Sequence, residues 1–263
     1  MVKNTASVSA WFRQYGKTPS QVAVVHGGPG GAGDVQPLAQ ELGERGYRVL
    51  EPIQTDNTIA GQIAELAAQV EQACQRPVCL IGWSWGAWLA CLLAAEHPTL
   101  VSSLILVGSA PFEQRHAATV GQTRLSRLSE YAQAELDRTT ANLGDSENVR
   151  RMAELTEAAD TYMARGTRPA ELVFDRTIHE AVWAEAKALR SSGGLLKRLA
   201  LVCCPVTALH GDHDPHPAIG VEVPLATVLP HADFILLDRC GHKPWNEAYA
   251  HEAFFEALEN AIR

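Results

Sequence analysis

A series of short apolar runs, most of them ending in glycine or other small residues, constrains this chain more than any other feature. They are Val22–Val25 before HGGPGG, Arg48–Glu51, Val78–Ile81 before GWSWG, Leu104–Val107 before GSAP, Val206–Leu209 before HGD and Phe234–Leu237 before DRCGH. Apolar runs of this length without alternation fit strands covered on both faces, as in parallel sheets. Between the early runs, apolar positions repeat with a helical period over Val35–Arg45, Ile59–Gln75 and Gly86–Glu96. Strand–helix alternation predicts an α/β fold, a mostly parallel sheet flanked by helices. In such sheets the active site lies at the carboxyl ends of the strands.

The alternation stops between Pro111 and Leu199. Ala117–Thr140, Ser146–Gly166 and Ala170–Leu189 carry helical periodicity and no strand signal, and Gly144, Gly166, Gly193 and Gly194 punctuate the stretch. The expected organisation is an α/β core formed by residues 1–110 and 200–263, with residues 111–199 as an all-helical cap. The insertion leaves the sheet at the carboxyl end of a strand, so it should cover that edge.

With 263 residues, 46% of them hydrophobic, the chain can bury one large core. A formal net charge of -8 argues against a nucleic-acid partner. No apolar run is long enough to span a bilayer, and the N-terminus lacks the apolar segment of a secretory signal. A cytoplasmic location, a small-molecule substrate and a monomer or homodimer are therefore expected. Cys74, Cys79, Cys91, Cys203, Cys204 and Cys240 show no C-x-x-C spacing and read as reduced, mostly buried thiols.

Four elements carry chemistry. Gly82-Trp83-Ser84-Trp85-Gly86 follows the run PVCLI and opens an apolar helix, the setting of a nucleophile elbow. Ser84 would then stand at a helix N-terminus, where free N–H groups favour developing negative charge. His26-Gly27-Gly28-Pro29-Gly30 ends a strand. Its glycines let the backbone approach closely, so the Gly28 N–H pairs with that of Trp85 as a candidate oxyanion hole. In the run from His210 to Pro217, Asp214 is the preferred acid and Asp212 a turn-capping residue. His210, His213 and His216 cannot share one helix face across two prolines, so no metal is expected, nor any cofactor. Finally, His242 follows Gly241 after the last apolar run and precedes an amphipathic helix over Glu247–Ile262. His97, His179 and His251 read as helix-surface residues, and His116 and His231 as loop or cap residues.

The motifs HGGPG, GWSWG, GDHDP and GHKPWNE together resemble the α/β-hydrolase superfamily over nearly the whole chain outside the insertion, and HGGPG with a Ser-Trp-Gly elbow most resembles its proline iminopeptidase branch. The resemblance implies a triad of Ser84, Asp214 and His242 with the oxyanion hole at Gly28 and Trp85. The expected activity is hydrolysis of a small, hydrophobic ester or amide through an acyl-enzyme. Trp83 and Trp245 are candidate walls of an apolar pocket. An aminopeptidase would instead aim cap carboxylates at a free amine, from among Glu154, Glu157, Glu171, Glu180 and Glu185. A third expectation, from a different class, is a non-hydrolytic ligand-binding member of the fold.

Overall fold

The computed structural model describes residues 7–8, 11–166 and 173–262. In chain order the strands are β1 (Ser7–Val8), β2 (Phe12–Tyr15), β3 (Ser20–Val25), β4 (Gly31–Ala32), β5 (Val49–Pro52), β6 (Cys74–Trp83), β7 (Val101–Val107), β8 (Val173–Phe174), β9 (Val206–Gly211) and β10 (Asp233–Leu237). Eight of them form one sheet in the order β1-β2-β5-β3-β6-β7-β9-β10. β2 runs antiparallel to both neighbours, and every other contact in the sheet is parallel. Each apolar run of the sequence lies in a strand of this sheet. In β3, β5, β6, β7 and β9 their continuous hydrophobicity has a direct cause, since helices cover both faces, whereas Leu236 of the edge strand β10 is exposed.

On one face stand α1 (Gln36–Glu44) and α11 (His251–Ile262). Their Leu38, Leu42, Phe254, Phe255 and Leu258 pack with Val22, Val24, Ile81 and Val107. On the other face, α2 (Ile59–Ala73) and α3 (Trp85–Glu96) pack with Ala23, Val25, Leu80 and Leu106. Helix α3 is buried on all sides from Trp85 to Ala94. That explains why its sequence is apolar throughout rather than amphipathic.

The insertion is α4 (Gln114–Ala117), α5 (Val120–Ser126), α6 (Glu130–Thr140), α7 (Ser146–Asp160), α8 (Arg176–Ser191) and α9 (Gly194–Leu199). The helix predicted over Ala117–Thr140 is in fact three pieces. Ser129 begins the third, accepting from the Ala132 N–H at 3.3 Å, because a hydroxyl that satisfies free N–H groups starts a new helix. Helix α7 ends at Asp160 rather than Gly166, and β8 pairs antiparallel with β4, Gly31 opposite Phe174. That pair is too short to leave a periodic signal. The first residues of the helix predicted over Ala170–Leu189, Ala170 to Leu172, lie outside the described residues, and its described part begins at Arg176. After β9 comes α10 (Ile219–Val228). Among the described residues no helix is long and apolar enough to cross a membrane.

Candidate active site

Strand β6 ends at Trp83, paired with Val107 of β7, and the chain then turns through Ser84 into α3. Ser84 has φ 55° and ψ -115°, a left-handed conformation that costs a serine on the order of 1–3 kcal/mol and is found where surrounding structure enforces it. The turn leaves no room for side chains beside it. A Cβ on Gly82 would stand 2.3 Å from the Gly86 carbonyl oxygen, and one on Gly86 2.4 Å from that of Val25. Ser84 is half-buried, and its N–H donates to the Val107 carbonyl at 3.0 Å. As the first residue of α3, Trp85 has an N–H with no carbonyl a turn earlier to accept it.

The His26 loop lies against this turn. A Cβ on Gly27 would stand 3.2 Å from Ser84 Cβ and 2.4 Å from the Trp83 ring. His26 itself is buried, bonded to Gly27 and Gln54, and burial lowers its pKa, so it is a neutral structural group. The insertion braces the loop from outside. The Asp175 N–H donates to Gly30 O at 2.9 Å, and His179 Nδ1 lies 3.0 Å from Pro29 O. His179, expected on a helix surface, is thus a strut of the candidate oxyanion loop, with its pKa lowered by burial.

At the ends of β7, β9 and β10 the candidate acid and base meet. His242 Nδ1 stands 2.7 Å from Asp214 Oδ2. A Cβ on Gly108, directly after β7, would come within 3.0 Å of that same Nδ1 and 3.2 Å of Asp214 Oδ2. Only glycine fits there, a requirement that the sequence marked merely as a small residue after a strand. Asp214 is buried. Burial by itself would raise its pKa, but His242, His216 and His210 around it hold the carboxyl well below its usual range. Asp212 is exposed, and its Oδ1 accepts the Cys240 N–H at 3.0 Å. It ties the loop after β9 to the loop after β10 rather than closing its own turn.

The backbone around His242 is held from several sides. Its N–H donates to Asp160 O at 2.9 Å, at the end of α7, and Trp83 Nε1 donates to its carbonyl at 2.8 Å. Glu247, 1% exposed, accepts the N–H groups of Gly241, Tyr162 and Met163, each at 2.8 Å. This carboxylate joins the His242 loop to the insertion, a role that no local sequence pattern announced. Trp83 and Trp245 are 5% and 2% exposed, packed edge to face with each other, and the Trp83 ring leans on that of His242. Such burial leaves them little surface for a substrate; Trp83 supports His242, and Trp245 backs Trp83. His251, expected on a helix surface, is buried between Glu41 and Glu252.

Asp214, His216 and His242 present donor atoms within 4.8 Å of one another. Their contacts of 2.7 and 2.8 Å to the carboxylate are hydrogen bonds that occupy both Nδ1 atoms with protons. Cys74, Cys79, Cys91 and Cys240 are buried free thiols, Cys204 is partly covered and Cys203 is exposed. Burial pushes Cys79 up to about 11 and Cys74 up to about 12, so neither is a nucleophile near neutrality.

Residues 22–245 match the family described as alpha/beta hydrolase fold. A pimeloyl-[acyl-carrier protein] methyl ester esterase of Nitrosomonas europaea is 28% identical over 174 residues, 62% of this chain and 64% of that relative. The match thus spans a little under two thirds of the relative's length. Among solved structures, VinJ superposes with a TM-score of 0.67 at 18% identity, covering 99% of this chain and 98% of that one. The esterase RhEst1 from Rhodococcus sp. superposes with a TM-score of 0.58 at 19% identity, covering 95% and 94%. At such identities these two speak to the fold alone. The chain belongs to the alpha/beta hydrolase fold family.

Proposed function

We propose that the chain cleaves a small, hydrophobic ester through an acyl-enzyme on Ser84, with His242 as base and Asp214 as the acid that orients it. One observation carries the reading: a serine held at positive φ at the head of α3 and bonded to Val107, with the His242–Asp214 pair, bonded at 2.7 Å, packed on the next residue, Gly108. His242 Nε2 takes the hydroxyl proton as Ser84 Oγ attacks the carbonyl carbon. The resulting oxyanion is held by the N–H groups of Gly28 and Trp85. The intermediate collapses by expelling the alcohol, which receives the proton from His242. Water then attacks the acyl-enzyme by the same route. Asp214 fixes the imidazole tautomer and stabilises its charged form.

The aminopeptidase reading has less support. Of the cap carboxylates that could receive a free amine, Glu154 pairs with Arg150 and Arg151, Glu157 with Lys243 and Asn246, and Glu180 with Arg176. Glu185 accepts the Ile59 N–H, and Glu171 lies outside the described residues. A non-catalytic ligand binder would have no use for the strained turn at Ser84.

The test is Ser84→Ala with p-nitrophenyl esters and a fluorophosphonate probe. We expect labelling to vanish and kcat to fall by about 10⁴–10⁶, with an unchanged unfolding midpoint. A variant that kept more than a few per cent of the parent esterase rate would falsify the assignment of the nucleophile.

A further inference from the structure

The sequence singles out three histidines between His210 and Pro217, and the triad reading uses none of them. One, His216, turns back onto the candidate acid. Its backbone N–H donates to Asp214 Oδ1 at 2.8 Å, and its ring Nδ1 meets the same oxygen at 2.8 Å. His242 holds the other oxygen, Oδ2. A carboxylate oxygen can only accept, so the proton sits on His216 Nδ1. The two imidazoles face each other at 4.5 Å with a 35° tilt. The turn that presents His216 is itself fastened, because His210 Nε2 lies 2.7 Å from the His216 carbonyl and must donate to it. His210 is buried, and its other ring nitrogen has no partner among the described residues. The arrangement is therefore a carboxylate clamped on both oxygens by rings, and not the one-sided contact a triad requires.

We propose that His216 is a positioning residue for ester hydrolysis: its ring N–H pins the outer oxygen of Asp214, fixes the carboxylate plane and tempers the negative charge that His242 experiences. The inference rests on the reading of Ser84, His242 and Asp214 as the catalytic groups. Burial, against the pull of Asp214, pushes His216 down to about 4. It is thus a neutral donor throughout the range in which a histidine base operates, and it does not compete with His242 for positive charge. A neutral donor on Oδ1 draws electron density away from Oδ2. Without it the carboxylate would hold the His242 imidazolium more tightly, and the acid limb of kcat/KM would move to higher pH.

The other charges facing this cluster leave that limb to His242. From α5, Arg124 is paired with Asp160 at 2.6 Å, and Arg127 donates to the Ala159 carbonyl at 3.0 Å. Lys243, beside His242, is held by Asp34 and Glu157, and Glu247 is taken up by backbone N–H groups. His213, on the far side of Asp214, is shifted downward by partial burial.

Two variants separate a donor from a mere filler. His216→Phe keeps a ring against His242 and removes the N–H. His216→Asn places an amide N–H near the position of Nδ1 and removes the ring. With p-nitrophenyl butyrate, we expect Phe to lose about 10–100-fold in kcat with little change in KM, the effect of one hydrogen bond to a charged group. Its acid limb should shift upward in pH. Asn should recover most of kcat and the parent limb. If Phe does not fold, His216→Leu takes its place. A Phe or Leu variant with the parent limb and kcat overturns the proposal. So does an Asn variant that folds but fails as Phe does, since an N–H restored at that position would then not be what the site uses. Ser84→Ala assayed in parallel distinguishes the two levels. Activity that survives it overturns the triad reading and this inference together, whereas Ser84-dependent activity with an unmoved limb in Phe overturns the role of His216 alone.

Discussion

The two halves of the insertion are held by different forces. In α8 and α9, Ile178, Val182, Ala186, Leu195 and Leu199 are buried and belong to the same apolar cluster as Trp85, Trp88, Leu80 and Leu106 of the core. Trp88 of α3 stacks on Trp183 of α8, and the Arg190 guanidinium lies over its ring. Across α5, α6 and α7 the buried residues are Val120, Thr139, Leu155, Ala159 and Asp160, and none belongs to either core cluster. The front half reaches the rest through polar links: Glu157 with Lys243 and Asn246, and the backbone from Asp160 to Arg165 along the His242 loop. Apolar burial grows with area, while a polar link exchanges with water at small net gain. The back half is therefore a fixed layer of the body that braces the His26 loop. The front half, with few buried apolar side chains, is the part expected to loosen first while the core stays folded.

The sharpest way to break this contrast is Leu195→Ala. Leu195 is 1% exposed in α9 and sits within the core cluster, so its truncation should cost about 2–5 kcal/mol. The loss should appear as a lower midpoint of one cooperative urea transition followed by circular dichroism. A separate early transition, with the main one unmoved, would show that α9 is not integral to the core.

Legibility followed the same division. The elbow, the His26 loop and the runs of β3, β6, β7 and β9 were readable because local rules dictate them: a sharp turn needs Gly82 and Gly86, and a strand covered on both faces needs an apolar run. Strand β2 escaped because FRQY is a short, half-polar segment whose Arg13 pairs with buried Glu51 of the neighbouring β5, a contact between residues far apart in sequence. The break of Ala117–Thr140 into three helices was hidden for a related reason, since the front half has so little buried surface that periodicity hardly fixes helix ends. At the site, Asp214 could be preferred over Asp212 from its place in the turn. The orientation of His216, the bracing of Pro29 by His179 and the three N–H groups on Glu247 depend on how distant loops meet. No spacing encodes that. Trp83 and Trp245 read from the sequence as pocket walls, and only the packing shows them buried, Trp83 against His242 and Trp245 against Trp83.

A smaller and more local effect is expected from Leu155→Ala in α7. Leu155 is 5% exposed but outside both core clusters, so its loss should loosen the front half ahead of the body. Hydrogen exchange should quicken about tenfold or more for amides of α5–α7, with strands β3, β6 and β7 unaffected. The global transition should move less than with Leu195→Ala. Equal acceleration in the central strands would merge the two halves into one unfolding unit and end the contrast.

The smallest effect is expected where the ion pairs are most conspicuous. Arg150 of α7 contacts Glu147 and Glu154 on its own helix, and all three side chains are largely exposed. Its pKa is raised by these partners, first by the hydrogen bond it donates to Glu147. Any stability linked to that shift is fully present below the ordinary pKa of arginine and lost only on deprotonation far above neutrality. Water and salt screen such pairs, and ordering long side chains offsets much of what attraction remains. Arg150→Ala should therefore leave the unfolding midpoint indistinguishable from the parent at low and at high salt. It should also leave exchange in α5–α7 unchanged, because the links that seat this half on the core lie at the other end of α7, at Glu157 and Asp160. If Arg150→Ala instead loosened α5–α7 as much as Leu155→Ala, and added salt did the same to the parent protein, surface charge rather than the few buried side chains would hold the front half together.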